Sequence, residues 1–234
     1  MRDIFVARQP IFDARQKIVA YELLYRADGE ASAAGTDVND ETMTSSVLVN
    51  GVLGMGLGKL TEGQTAFINL SEAMLFDGTA ELLDPQAVVI ELLETIQPTP
   101  KVIAQCAKLT GAGYKLALDD FEFDESYGPL LEIAAYVKVD IMATPEGLAE
   151  TVDQIRPYRV KLLAEKVEDQ EMHDLCVEYG FELFQGFHYF KPETVSTRDS
   201  SAQSVSIIRL MNMLKDATAT DRALEDGFRS DPGL

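Results

Sequence analysis

Apolar residues recur along this chain in short runs, and most of those runs stop at an acid, an amide or a lysine. Ile4 to Ile11, with Pro10 near its end, and Lys17 to Arg26 predict two strands joined by the turn Asp13-Ala14-Arg15-Gln16. So short a connection makes them an antiparallel hairpin. Ala27 to Asp37 is small and polar and predicts a loop. Asn39 is placed to N-cap a helix running to about Leu57, with Val47, Leu48, Leu53 and Leu57 at roughly helical spacing. Gly51, Gly54, Gly56 and Gly58 weaken its second half.

A strand-helix rhythm follows. Strands are predicted at Thr65–Leu70, Ala87–Glu94, Lys115–Phe121, Tyr136–Met142, Val160–Val167 and Leu183–Phe187. Between them fall a short helix capped by Ser71, a helix opened by Thr99-Pro100 and running to Leu109, and helices at Tyr127–Ala134, Glu146–Ile155 and Asp169–Tyr179, the last ended by Gly180. Ser201–Lys215 predicts one more, with Val205, Ile208, Met211 and Leu214 on one face. Apolar strands alternating with helices imply a parallel sheet covered by helices. Eight strands in this length favour a closed (β/α) barrel over an open doubly wound sheet. No Gly-x-Gly-x-x-Gly opens a helix after the first strand, so a dinucleotide fold loses ground.

The polar residues that end the runs carry the chemistry. They are Glu22, Asn69, Glu91 with Glu94, Asp119 with Asp120, Lys138 with Asp140, Glu165 with Glu168, and Gln185. Asp119-Asp120 alone is more simply a solvated acidic turn. Strand-end acids or amides on seven strands are another matter, because strands of such a sheet are buried on both faces and buried carboxylates need a cation. In a barrel these ends are also where active sites form. All-oxygen donors with one lysine, and no paired histidines or cysteines, select Mg²⁺ or Mn²⁺ over zinc. The acids outnumber what one ion requires, and two ions sharing a bridging Asp would suit attack of water on a phosphodiester.

Composition adjusts this picture at its edges. The net charge of −19 argues against a nucleic acid polymer held in a basic groove and against an anionic membrane surface. A small anionic ligand stays compatible if metals neutralise the site. Cys106 and Cys176 form no framework and predict small buried apolar residues rather than nucleophiles. The first eight residues hold too short an apolar run for a signal peptide, and no stretch approaches a membrane span, so a cytoplasmic protein is expected. His173 is expected on a helix surface, and His188 follows the last barrel strand, where it could approach a ligand.

In order, Gln9-Pro10-Ile11, Glu22-Leu23-Leu24-Tyr25-Arg26, Phe67-Ile68-Asn69-Leu70-Ser71, Glu91-Leu92-Leu93-Glu94, Asp119-Asp120-Phe121, Lys138-Val139-Asp140, Ala164-Glu165-Lys166-Val167-Glu168 and Gln185-Gly186-Phe187 resemble the EAL family of cyclic-di-GMP phosphodiesterases over about residues 4 to 195. The resemblance implies a TIM-like (β/α)8 barrel with one antiparallel strand, over residues 1–198. It implies that Glu22, Asn69, Glu91 and Asp119 hold a first metal and that Asp119, Asp120 and Glu165 form a second-metal set. Glu165 is then also a candidate base. Lys138 would orient the attacking water, Gln185 would support water and ligand, and Arg26 would meet a phosphate, with Gln9 and Asp140 also on the substrate. Glu94 and Glu168 would steady the loop after Asp120. The implied reaction is metal-dependent hydrolysis of cyclic-di-GMP to linear pGpG, with room for a homodimer.

Three departures stand out. Glu-Ala-Leu is Glu22-Leu23-Leu24, the loop after the aspartate pair is Glu122-Phe123-Asp124-Glu125-Ser126-Tyr127-Gly128, and Glu-Gly-Val-Glu is Glu165-Lys166-Val167-Glu168. Together with Lys191-Pro192 they look more like the EAL branch that carries a C-terminal HDOD domain, and Asp221 to Leu234 resembles the opening of one, so residues 199–234 are expected to hold a helix and the start of that domain. The alternative function is a catalytically weak or inactive module that binds cyclic-di-GMP or a protein partner and signals through HDOD. A magnesium-dependent, enolase-like lyase on a similar barrel has less support, since the usual capping domain is missing and the motif order differs.

Overall fold

A computed structural model describes residues 3–26, 56–143, 147–186, 188 and 193–198. The expected helices at Asn39–Leu57 and Ser201–Lys215, and residues 199–234 as a whole, lie outside the described residues, apart from the very end of the first helix. There a short helix, α1 (Leu57–Leu60), is present.

Strands β1 (Asp3–Asp13) and β2 (Ile18–Arg26) form the predicted hairpin, in register from Phe5 opposite Arg26 to Ile11 opposite Ala20, with a bulge at Ile11-Phe12. The Asp13 carboxylate fixes its turn by accepting the Arg15 and Lys17 amides, both at 2.9 Å. Strands β3 (Thr65–Leu70), β4 (Val88–Leu92), β5 (Lys115–Leu118), β6 (Tyr136–Asp140), β7 (Lys161–Glu165) and β8 (Leu183–Phe184) then add in parallel, each beside the last. Phe12 and Asp13 pair with Phe184 and Leu183 and close the barrel. All eight strands are thus in one cylinder, and β1 alone runs against both of its barrel neighbours. A ninth strand, β9 (Glu193–Arg198), was not expected; it pairs antiparallel with Asp3–Arg8 of β1.

The connecting helices are α2 (Glu72–Phe76), α3 (Pro100–Gly111), α4 (Gly128–Leu131, after a 3₁₀ turn at Glu125–Tyr127), α5 (Leu148–Ile155) and α6 (Gln170–Tyr179). Thr99 caps α3 by accepting the Val102 amide at 3.3 Å, and Asp169 caps α6 by accepting the Met172 amide at 2.8 Å. Ser71 occupies the N-cap of α2 but makes no capping bond with its side chain, which corrects the expectation. Gly180, at φ 94°, ends α6 in the left-handed conformation glycine tolerates. None of the described helices is long and apolar enough to cross a membrane.

Strand alternation sorts the side chains into two cores. Leu23, Ile68, Ile90, Leu116, Val137, Val139 and Ala164 point outward and pack with helix residues such as Val102, Cys106, Val152 and Cys176. Ile11, Ala20, Phe67, Val89, Ala117 and Leu163 pack inside the barrel, with Tyr136 and Leu183 against them and the Phe67 and Tyr136 rings 5.2 Å apart. This inner layer is an apolar floor. Two positions along each parallel strand stand Glu22, Asn69, Glu91, Asp119, Lys138, Glu165 and Gln185. On the reversed strand β1 the matching residue, Gln9, lies two positions before Ile11 and opposite Glu22.

Both cysteines are buried, and burial pushes each thiol up to about 11, so neither is a nucleophile at neutral pH. His173 is only 4% exposed, against the expectation of a surface position. It shares a face of α6 with Cys176 and packs on the Phe184 ring at 4.5 Å, and burial holds its imidazole below the ordinary value.

Candidate active site

Above the apolar floor the polar layer converges on one ammonium. Lys138 Nζ lies 2.6 Å from Asp119 Oδ1, 2.9 Å from Glu91 Oε1, 3.1 Å from Glu165 Oε1 and 3.3 Å from Glu22 Oε1. Lys138 is 1% exposed and Glu91 fully buried. Glu22 also accepts hydrogen bonds from the Asn69 and Gln185 side-chain amides. Strands β2 to β8 therefore each contribute to one cluster, from their upper ends or from the residue just beyond.

The charges do not balance. Four carboxylates face one ammonium, and the electrostatics respond. Burial pushes the Glu91 carboxyl well above the ordinary range, against the pull of Lys138 and with added repulsion from Glu22 and Asp119. Burial also raises Glu165 to about 8, again opposed by Lys138 and reinforced by Asp119, Glu22 and Asp120. For Lys138 burial alone would lower the ammonium, but Asp119, Glu165, Glu22 and Glu91 outweigh it and hold it well above its usual value. Asp120 is raised by burial and by its neighbour Asp119, with Lys166 and Lys138 acting the other way.

Buried oxygens of Asn69 (Oδ1), Glu91 (Oε1 and Oε2), Asp119 (Oδ1), Glu165 (Oε2) and Gln185 (Oε1) accept no hydrogen bond. Two of them, Glu91 Oε1 and Asp119 Oδ1, lie within ion-pair distance of Lys138 without an aligned donor. Among the described residues no three acidic, histidine or cysteine side chains stand as a ready cage, because the acids are drawn onto the ammonium. The donors nevertheless fit a hard divalent cation: they are all oxygen, anionic in excess, and several of their buried oxygens are under-satisfied.

The rest of the expected residues divide. Gln9 lines up with Glu22 across the hairpin and is half-buried. Arg26 ends β2 opposite Phe5, but its side chain lies outside the described residues. Asp119 and Asp120 lie just beyond β5 rather than within it, and they diverge. Asp119 reaches the cluster, whereas Asp120, at φ 40°, is exposed toward the mouth. Asp140 ion-pairs with Lys166 at the end of β7. Burial would raise the Asp140 carboxyl, but the Lys166 hydrogen bond and the Met142 and Ala143 amides hold it below the ordinary range. Glu94 and Glu168 are exposed and take no part in the contacts around Lys138. His188 donates its backbone N–H to the Val167 carbonyl at 3.0 Å.

A cavity of about 710 Å³ opens beside the cluster, lined by Glu94, Asp119, Asp120, Phe123, Tyr127 and Asp140 among others. The divergent loop after the aspartate pair forms one wall. It is anchored by Phe121, whose ring meets Phe123 and Tyr127 edge-on at 6.4 and 5.5 Å, and by Asp124 accepting the Ser126 amide. Across the barrel, Gly186 makes the closest backbone approach: a Cβ there would lie 2.2 Å from the Val167 carbonyl oxygen. The absence of a side chain there lets the chain pass close to Val167, two residues beyond β7, whose amide donates to the Gln185 carbonyl at 3.0 Å. The Gln-Gly pair was visible in the sequence, but not that its glycine is sterically required. Nor was the pairing of Lys166 with Asp140.

Comparison with known proteins agrees with this architecture. Curated relatives include the uncharacterised protein YuxH of Bacillus subtilis (strain 168), 36% identical over 217 residues, covering 90% of this chain and 53% of that protein. Another is the cyclic di-GMP phosphodiesterase CdgJ of Vibrio cholerae, 33% identical over 215 residues, covering 90% of this chain and 49% of that protein. The chain thus spans about half the length of these curated relatives. Among solved structures, the PaMucR phosphodiesterase in its cyclic-di-GMP complex superposes with a TM-score of 0.68 at 18% identity, over 82% of this chain and 97% of that one. The Bacillus subtilis YkuI protein, with an EAL domain and in complex with cyclic-di-GMP and calcium, gives 0.65 at 16% identity, over 97% and 71%. At such identities the likeness establishes the TIM-like fold alone. The EAL domain model itself matches residues 59–192, which include β3 to β8 and most of the converging acids, and this chain belongs to the EAL domain family.

Proposed function

We propose that this chain hydrolyses cyclic-di-GMP to linear pGpG with Mg²⁺ or Mn²⁺ bound at the top of the barrel. The observation that carries the reading is the convergence of Glu22, Glu91, Asp119 and Glu165 on one point, with buried oxygens left unsatisfied. Glu22, Asn69, Glu91 and Asp119 would hold the first ion, and Asp119, Asp120 and Glu165 the second. A bound ion supplies Lewis-acid polarisation of a phosphate oxygen and acidifies water.

The chain's own residues do the rest. Glu165 stands at the end of β7 with an oxygen 3.1 Å from Lys138 Nζ, and once bound cations offset its acidic neighbours its carboxylate would take the proton from water. Lys138 presents an ammonium that orients the water and steadies the carboxylates. Gln185 anchors Glu22 from the opposite side. In the reaction the water oxygen bonds to phosphorus, the P–O3′ bond breaks, and the departing 3′ oxygen takes up a proton. The linear product keeps a 5′-phosphate. Arg26, Gln9 and Asp140 would meet the substrate, and Glu94 and Glu168 would support the loop at the mouth.

Incubation with cyclic-di-GMP and either metal, followed by chromatography beside Glu22→Ala, tests the reading. Product from the parent chain and none from the variant supports it; an intact substrate beside an active control sinks catalysis. One observation favours a second reading, a module that binds cyclic-di-GMP or a protein partner and relays through an HDOD domain: an extra cation, Lys166, is fixed at the site's rim. Calorimetric binding of cyclic-di-GMP without turnover would select the ligand-binding form of it.

A further inference from the structure

Lys166 directly follows Glu165 at the top of β7, and its backbone is left-handed, with φ 59°. An L-residue holds that conformation at a cost glycine escapes. The turn sends the side chain back across the neighbouring strand, where its ammonium ion-pairs with Asp140 Oδ2. Asp140 is the residue whose Cα pairs with that of Glu165 in the β6–β7 ladder. Its other oxygen accepts the Met142 and Ala143 amides at 2.8 and 3.2 Å, so the carboxylate is held at both ends. The Lys166 side chain is 57% exposed and that of Asp140 15%, which puts this charge at the rim, above the buried Lys138. Its field acts on Asp120, Asp140 and Glu165. An exposed ion pair of this kind contributes little to stability, so stability does not explain a strained residue placed here.

We propose that Lys166, fixed on Asp140, is a built-in counter-ion that weakens the second divalent-cation position, so that this chain binds one such ion tightly and the other much more weakly. The inference rests on the metal reading above. Lys166 adjoins Glu165 in the chain and is held on Asp140, the residue beside Glu165 in the ladder, so its charge stands on the β6–β7 side with the second set, whereas Glu22, Asn69 and Glu91 stand on β2, β3 and β4. Paired with Lys166, the Asp140 carboxylate is neutralised; without the ammonium it stands free beside Glu165, and one unit of charge at an effective dielectric between those of protein and water changes cation affinity roughly ten-fold.

The test is titration of chelator-stripped protein with MnCl₂ alone, followed by heat and by the electron spin resonance signal of free Mn²⁺. The parent chain should show a tight step and a second at least ten-fold weaker. Lys166→Gln and Lys166→Gly should each strengthen the weak step about ten-fold and leave the tight step unchanged. Lys166→Gly should also melt no lower than the parent, because glycine suits the left-handed backbone. Lys166→Arg should keep the weak step weak. Unchanged titrations in the Gln and Gly variants, or an Arg variant that behaves like Gln, overturn the inference while leaving the metal site standing. Absence of Mn²⁺ binding in every protein overturns the metal reading and this inference together.

Discussion

The inside of the barrel holds two layers built from the same strands, two residues apart. Below, Ile11, Ala20, Phe67, Val89, Ala117 and Leu163 fill the cylinder with apolar contacts. Above, Glu22, Glu91, Asp119 and Glu165 crowd one ammonium with too much negative charge. The lower layer satisfies its surroundings and the upper one does not. A one-residue shift of register would turn the acids out among the helices, so the platform that orders the strands also aims the acids. Stability and function are separated here by two residues along each strand rather than by domain.

The sharpest way to break the comparison is to remove Lys138, the one cation of the upper layer among the described residues. Lys138→Met should abolish turnover and, in chelator, destabilise the fold by about 3–5 kcal/mol, because buried carboxylates then lack any counter-charge. Mn²⁺ should restore part of that loss in thermal melts. A Lys138→Met protein as stable as the parent without metal would mean that the acids are not charged together.

Phe67→Ala attacks the floor instead. Phe67 is 1% exposed, and truncation should cost about 3–5 kcal/mol in denaturant unfolding. Mn²⁺ binding to the fraction still folded should be unchanged; if it weakens in parallel, the two layers are not separable.

Gly186→Ala strikes the joint between β7 and β8. The new methyl meets the Val167 backbone rather than a movable side chain, and the expected loss is about 1–3 kcal/mol with a displaced Gln185 and lower activity. A crystal structure of the variant with Gln185 unmoved would remove Gly186 from the account of the site.

A finer probe is pH. Glu165 has an ordinary value of 4.5 and is raised to about 8 in the folded chain. Between those values the unfolded state ionises while the folded state keeps its proton, so the unfolded state binds fewer protons. Metal-free protein should therefore lose stability as pH rises from about 4.5 to about 8, and the loss from this group should be complete above that. Glu165→Gln should flatten part of that slope in chelator while slowing hydrolysis roughly 10²–10⁴-fold. An identical slope in both proteins would assign it to other groups.

Much of this was legible beforehand because the barrel writes its register into the sequence. The hairpin, the parallel strands and the polar residues that end them follow from local pattern. What escaped has identifiable causes. Strand β9 lies after the last predicted barrel strand, in Glu193–Arg198, and is organised by pairing with the far end of the chain, which local pattern does not carry. His173 resembles a surface residue on an acid-rich helix; only its three-residue spacing from Cys176 hints at the buried face. Asp119 and Asp120 look equivalent until the positive φ of Asp120 separates them. The Lys166–Asp140 pair depends on another positive φ, at a residue whose type does not announce it.

The reversed strand also shapes how the barrel comes together. β1 finds β2 across a tight turn, but it meets β8, the last of the barrel strands in the sequence, among the described residues through only Phe12–Phe184 and Asp13–Leu183. Closure thus rests on a short seam between residues far apart in the sequence, the kind of contact that slows folding. Gln185 is the next residue after that seam. Amide exchange should find it less protected than the long β3–β4 or β6–β7 ladders. If so, transient opening of the barrel loosens the Gln185 side of the polar cluster before any other, and the seam that completes the cylinder is also where it breathes.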